Sequence, residues 1–136
     1  ILISPNKGGF TWVLDRRNGE FLNAWPIADN INWISGIDKK GNLLNRLEPK
    51  VGVPTIVCPS IGGGRSWNHG AYSPKTGLFY QTGIEWCQQV TVQKEDPRPA
   101  ETFFGGVFEL RKALKGDSGG HFGAYDPVTG KRVWQY

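Results

Sequence analysis

Hydrophobic and polar positions alternate along this chain in short segments that are separated by turn-forming residues. Residues 10–14 read Phe-Thr-Trp-Val-Leu, and Asp15 follows them directly. Short aromatic and β-branched segments bounded by Gly, Pro, Asn and Asp are typical of strands joined by tight turns. Helix-forming residues such as Ala, Leu, Glu and Lys occur at a helical spacing only around Phe108 to Lys115. The pattern therefore predicts an all-β protein.

One turn pattern recurs along the chain. Its copies are AYSPKTGLFY from Ala71, AYDPVTGKRVW from Ala124, VLDRRNGEFL from Val13 and the shorter GIDKKGNLL from Gly36. In each copy an Asp or Ser ends a strand and can hydrogen-bond the backbone two residues later, and a Gly then supplies a positive φ. Each copy is therefore predicted to be a hairpin turn.

Repeated hairpins with periodic Gly and aromatic residues indicate a β-propeller. The turns begin at positions 15, 38, 73 and 126, and this uneven spacing predicts insertions within the blades. Residues 94–99 and 115–120 are rich in charged residues, Gly and Pro, so we expect them to be exposed loops.

Composition and charge narrow the class of protein. A chain of 136 residues normally forms one domain. The net charge of +4 comes from residues of both signs scattered along the chain, whereas a nucleic-acid-binding protein usually clusters its basic residues. No segment is apolar over the length needed to span a membrane. We therefore expect neither nucleic-acid binding nor a membrane span.

The chain contains two cysteines, Cys58 and Cys87. Their separation excludes the Cys-x-x-Cys spacing of redox and zinc motifs. The residues alone leave two interpretations open: buried thiols in a cytosolic protein, or one disulfide in an exported protein.

Four segments together resemble the quinoprotein alcohol dehydrogenases, which are eight-bladed propellers that bind pyrroloquinoline quinone (PQQ). The motif AYDPVTGKRVW is similar to the tryptophan-docking motif of that family. The segments NKGGFTWVLDRRNGEFL, NWISGIDKKGN and CPSIGGGRSWNHGAYSPKTGLFY resemble further family segments, in family order. The match is good over residues 1–87 and 119–136 and loose between them. It implies that residues 1–136 are a single internal fragment of a PQQ-binding propeller domain, about three blades in size.

The resemblance assigns candidate cofactor contacts to Lys7, Ser66 and Trp67. Lys7 lies where the family has a Lys or Arg near the quinone carbonyls, and a cation there stabilises the charge that develops as hydride arrives. In the absence of the resemblance, Lys7 would be interpreted as a surface turn residue. Ser66 replaces a family Asn, and a Ser hydroxyl reaches less far than an amide. Trp67 would lie at the edge of the cofactor chamber, or else pack in the core.

The same resemblance favours a disulfide between Cys58 and Cys87, because methanol- and ethanol-dehydrogenase-like members have paired cysteines at these positions. Such a bridge stabilises a fold by about 3–4 kcal/mol on the chain-entropy model. It also suits the oxidising periplasm. His69 is not expected to be a catalytic base, since the family uses an Asp in that role.

The resemblance thus implies part of a periplasmic enzyme that oxidises an alcohol by hydride transfer to PQQ and passes electrons to a cytochrome c. The catalytic Asp and the ligands of the calcium or lanthanide ion are expected outside this segment, so it contains no catalytic or metal-binding residue of its own. We expect the isolated segment to be inactive. A homodimer is compatible with this assignment. Two alternatives are a non-enzymatic propeller scaffold with PQQ-like repeats and a quinoprotein that oxidises sugars or polyols.

Overall fold

The computed structural model describes all residues from Ile1 to Tyr136 and contains strands but no helix. No helix of this chain is therefore long and apolar enough to cross a bilayer. The strands are β1 (Leu2–Pro5), β2 (Phe10–Leu14), β3 (Phe21–Pro26), β4 (Gly36–Ile37), β5 (Leu43–Leu44), β6 (Thr55–Val57), β7 (Ala71–Ser73), β8 (Leu78–Ile84), β9 (Cys87–Val92), β10 (Gly106–Arg111), β11 (Gly120–Tyr125) and β12 (Arg132–Gln135).

The strands form four antiparallel sheets. Their orders are β1-β2-β3, β10-β9-β6, β12-β11-β8-β7 and β4-β5. The all-β prediction is confirmed, and the helical spacing near Phe108 is misleading, because that residue belongs to β10, which pairs with β9.

Insertion into a blade is visible in the four-stranded sheet. Strands β8 and β11 are neighbours there, yet β9 and β10 lie between them in sequence and join β6 in a separate sheet. The segments 94–99 and 115–119 lie outside strands and are exposed, as predicted, and Gly120 begins β11.

The recurring turns are hairpin turns, as predicted. The amide of Gly130 donates to the carbonyl of Asp126 at 2.9 Å, and Gly77 makes the same bond to Ser73 at 2.8 Å. The Asp126 carboxylate accepts hydrogen bonds from the amides of Val128 and Thr129 at 2.9 and 2.8 Å. These backbone contacts lower the pKa of Asp126, with the Thr129 amide as the first cause. The side chain at the strand end therefore shapes the turn.

The core lies between the β1-β2-β3 sheet and the four-stranded sheet. It consists of the buried residues Val13, Trp25, Ile27, Phe79 and Tyr125. The Trp25 ring stacks on Tyr125, with ring centroids 5.1 Å apart and planes inclined by 25°. A Cβ atom at Gly130 would overlap the Trp25 side chain, so this indole lies directly against the last hairpin turn.

Trp134 follows the last hairpin turn and lies on β12. Its ring is 43% exposed and is tilted against Tyr80 and Phe122, with centroids 5.9 and 5.8 Å away. It therefore packs on the aromatic side chains of its own sheet. The indole that packs between the two facing sheets is that of Trp25.

Candidate functional site

Lys7 lies in the turn between β1 and β2, and a glycine-rich loop holds it in place. Its ammonium group donates a hydrogen bond to the carbonyl of Ile61 at 3.2 Å. Its own carbonyl accepts a hydrogen bond from the amide of Gly64 at 2.9 Å. A lysine ammonium has three protons to donate, so the exposed Nζ can still bind a further acceptor.

The loop approaches Lys7 closely because it lacks side chains there. A Cβ atom at Gly63 would lie 2.8 Å from the Cα, Cβ and Cγ atoms of Lys7, and φ at Gly63 is +80°. A Cβ atom at Gly64 would lie 2.6 Å from the Cα atom of Gly9. Only glycine allows this backbone to approach the lysine, which explains the run of glycines.

Hydrogen bonds attach the loop to the junction of β8 and β9. The Ser60 amide donates to the carbonyl of Trp86 at 2.7 Å, and the Ile84 amide donates to the carbonyl of Gly64 at 2.8 Å. The Ile61 amide donates to the side chain of buried Gln88 at 2.7 Å. The same loop is therefore fixed at both of its ends.

A disulfide between Cys58 and Cys87 reinforces this attachment. The two residues are fully buried, and 29 positions separate them in sequence. The disulfide prediction is confirmed. It links the start of the glycine-rich loop covalently to the first residue of β9.

Ser66 and Trp67 lie beyond the part of the loop that contacts Lys7. Ser66 is half-buried, whereas the Trp67 side chain is 88% exposed. The Arg65 guanidinium closes this end of the loop by donating to the carbonyl of Asn68 at 2.9 Å. Core packing within this chain therefore does not explain Trp67. His69 is exposed as well.

The structure contains a second polar cluster, centred on Glu85, that the sequence analysis does not predict. Glu85 is 4% exposed, and its carboxylate accepts hydrogen bonds from the amides of Asp29 and Asn30 at 2.9 and 2.8 Å. The Asn30 side-chain amide donates to it at 2.8 Å. His121 Nδ1 lies 3.2 Å from the same carboxylate, and His121 Nε2 lies 2.9 Å from the hydroxyl of Tyr125.

The surroundings of Glu85 set its charge state. Burial acts to raise its pKa, but the hydrogen bonds from His121, Asn30 and the Asp29 amide together lower the pKa to about 2. For Tyr125 the first cause is also burial, and it raises the pKa. Glu85 is thus a buried carboxylate that stays ionised because its donors compensate for lost hydration.

Asp29, Glu85 and His121 place candidate ligand atoms within 4.8 Å of one another. Carboxylate and imidazole groups can bind a metal ion, but here the two carboxylates are already engaged in hydrogen bonds and an ion pair. The Glu85 oxygens accept from backbone and side-chain amides, and Asp29 pairs with Arg132 at 3.2 Å. We therefore interpret the cluster as a structural hydrogen-bond network.

The known proteins that resemble this chain in sequence include quinoprotein alcohol dehydrogenases and methanol dehydrogenases. No family model matches the chain. The quinoprotein alcohol dehydrogenase PedE of Pseudomonas putida is 35% identical over 96% of this chain and 22% of its own length. The lanthanide-dependent methanol dehydrogenase of Methylacidiphilum fumariolicum is 31% identical over 98% of this chain and 23% of its own.

Solved structures agree with the sequence relatives. A europium-containing methanol dehydrogenase superposes with a TM-score of 0.89 and 30% identity, over 98% of this chain and 24% of that one. The quinohemoprotein alcohol dehydrogenase of Comamonas testosteroni superposes with a TM-score of 0.83 and 26% identity, over 98% and 21%. The chain thus spans less than a quarter of the length of each of these proteins, and they are similar to it along almost all of its residues.

Proposed function

This chain belongs to the quinoprotein alcohol dehydrogenase family, and we propose that it supplies part of the PQQ-binding surface of an alcohol-oxidising enzyme. The supporting observation is the fixed position of Lys7. Its ammonium group is tied to the Ile61 carbonyl and its backbone to Gly64, yet it keeps unused donors at the surface. Since the relatives are about four times longer, the activity of the whole enzyme is part of this proposal.

The chemistry of the donor set suits an anionic quinone. PQQ carries carboxylates and adjacent carbonyl oxygens, and Lys7 offers a cation that the loop already orients. Preorganised positive charge is most effective where negative charge develops during the reaction. Lys7 would therefore stabilise the reduced quinone more than the oxidised one, which favours hydride transfer.

Ser66 and Trp67 are proposed as further contacts. The exposed indole of Trp67 offers an aromatic edge or face to a planar ligand. The Ser66 hydroxyl can donate or accept a hydrogen bond. Both lie on the loop that also contacts Lys7, so a single ligand that reaches Lys7 could also reach them.

In the proposed reaction the alcohol loses a hydride from carbon and a proton from oxygen and becomes a carbonyl compound. Lys7, Ser66 and Trp67 would hold PQQ, which supplies a hydride acceptor when bound, and a base outside this segment would take the alcohol proton. Reoxidation would pass two electrons to a cytochrome c and release two protons to solvent. A calcium or lanthanide ion, with its ligands outside this segment, completes the proposed site.

The relatives and the disulfide support a proposal for the substrate class and the compartment. Named relatives include a quinoprotein ethanol dehydrogenase, a lanthanide-dependent methanol dehydrogenase and a 1-butanol dehydrogenase. We therefore propose a small primary alcohol as substrate. The Cys58–Cys87 disulfide supports an oxidising compartment such as the periplasm.

Titration of PQQ into the intact enzyme containing this chain tests the proposal. Lys7→Ala should weaken PQQ binding by roughly 10–100-fold, because a hydrogen bond to a charged group contributes about 1.5–3 kcal/mol. The matched control is Lys75→Ala, which removes an exposed lysine from the turn between β7 and β8. The control should bind PQQ like the unmodified enzyme.

Two outcomes would count against the proposal. Equal PQQ affinity and rate for the Lys7→Ala and Lys75→Ala variants would remove the role of Lys7. A correctly folded intact protein that binds no PQQ would favour the scaffold alternative. Separately, dye-linked alcohol oxidation by this chain alone, with PQQ and calcium added, would contradict the expectation that the segment is inactive by itself.

A further inference from the structure

Three buried polar atoms between the two facing sheets have no hydrogen-bond partner within the protein. They are Thr11 Oγ1, Trp25 Nε1 and Gln81 Oε1. Thr11 and Gln81 are 0% exposed and Trp25 is 3% exposed. Thr11 lies directly opposite Trp25 in the pairing of β2 with β3, so both side chains point to the same face of the sheet.

Gln81 faces the same space from the other sheet. On β8, Phe79, Gln81 and Gly83 alternate with less buried residues and form one inward row. The Phe79 ring lies against Trp25, with centroids 6.3 Å apart. A Cβ atom at Gly83 would overlap the carbonyl oxygen of Ile27. Gln81 lies between these two residues in the inward row, and a Cβ atom at Gly70 would overlap its Oε1 atom. The Gln81 amide therefore lies on the inner face, between β3 and the residue that precedes β7.

The orientation of the Gln81 amide is fixed by its neighbour. Its Nε2 atom donates to the carbonyl oxygen of Thr82 at 3.1 Å, which leaves Oε1 as the free acceptor. Trp25 Nε1 can only donate, and the Thr11 hydroxyl can do either. The three groups thus form a mixed set of donor and acceptor, enclosed by an apolar core.

We propose that ordered water is bound between the two sheets by Thr11, Trp25 and Gln81. Water can accept from the indole, donate to the amide oxygen and bond the hydroxyl. Buried water typically makes about three hydrogen bonds to groups that would otherwise be unsatisfied. An apolar occupant would leave all three unpaired, and the low exposure of these residues closes the space to larger polar molecules.

Two measurements on the full chain test this water site. The first is magnetisation transfer from water to the Trp25 indole proton in ¹⁵N-tryptophan-labelled protein, with the signal assigned through Trp25→Phe. A cross peak with the sign of a long-lived water is expected. The second is the urea midpoint of Thr11→Val against that of Thr91→Val, which makes the same change at a half-buried position of β9.

The sign of the midpoint shift separates a hydrated site from a dry one. If water binds the Thr11 hydroxyl, the methyl group of valine removes a hydrogen bond, and Thr11→Val should have the lower midpoint of the two variants. If no water contacts the hydroxyl, its replacement removes a buried polar group without a partner, and the urea midpoint of Thr11→Val should rise. A higher midpoint for Thr11→Val, or a Trp25 indole without the water cross peak, would overturn the proposal.

Discussion

Glu85 and His121 form a buried pair, with a carboxylate oxygen 3.2 Å from the ring Nδ1. Their side chains are 6% and 5% exposed. The pair joins the end of β8 to β11, and Glu85 also receives the amides of Asp29 and Asn30. Glu85 therefore connects three separate segments of the chain, and its removal should affect all of them.

Glu85→Ala should lower the free energy of unfolding by about 3–5 kcal/mol, because it leaves several buried donors without an acceptor. Urea denaturation of the full chain measures this change. The control is Glu109→Ala, whose side chain is 52% exposed and pairs with Arg111 at the surface. That variant should change stability by no more than about 1 kcal/mol. Equal effects of the two substitutions would show that the Glu85 network contributes little.

The depressed pKa of Glu85 predicts a dependence of stability on acid. A carboxyl group with a folded pKa near 2 and an ordinary pKa of 4.5 binds its proton more readily in the unfolded chain. Its contribution is therefore complete above about pH 4.5 and is lost as the pH falls toward 2. The loss is of the order of 3 kcal/mol. In Glu85→Gln this part of the pH profile should flatten, and an unchanged slope would contradict the assignment.

The disulfide should be formed in protein that has never been exposed to reductant. Alkylation followed by intact mass analysis should then modify neither cysteine, whereas two modified cysteines would contradict the bridge. The double variant Cys58→Ala/Cys87→Ala should be less stable by about 3–4 kcal/mol, since the unfolded chain loses a loop constraint of this length. Both sulfurs are fully buried, so reductant should act readily only when denaturant is present.

Two equivalent turns provide a matched test of sheet packing. Gly130 and Gly77 both have positive φ, +73° and +70°. A Cβ atom at Gly130 would overlap Trp25, while one at Gly77 meets nothing within 4 Å. Gly77→Ala should cost about 1–2 kcal/mol from backbone strain alone. Gly130→Ala should cost about 1–3 kcal/mol more because it overpacks the core. Similar losses for both would indicate that the contact between Gly130 and Trp25 is loose.

The hairpins were predictable because each turn is specified by residues that lie close together in the sequence. An Asp or Ser followed four residues later by Gly specifies the turn at Asp15, Ser73 and Asp126, and at Asp38 the Gly follows after three residues. The Cys58–Cys87 bridge was predictable only through the family resemblance, because sequence separation by itself does not specify connectivity.

The Glu85 cluster and the packing of Trp25 were not predictable in this way. Glu85, Asn30 and His121 come from distant segments that meet only when the two sheets face each other. No periodic pattern marks a residue at the irregular junction of two strands. Likewise Trp25 enters the core only because its sheet faces the four-stranded sheet, where Phe79 and Tyr125 pack against it.

The inserted sheet also bears on how fast this chain can acquire its fold. The central pair of the four-stranded sheet, β8 and β11, aligns Tyr80 with Ala124, and all of β9 and β10 lie within that loop. The entropy of closing the loop must be lost before the pair gains any contact energy. Proteins dominated by such non-local pairings fold in about milliseconds to seconds. We expect the local hairpins to form early and the β8–β11 pair to complete the sheet last.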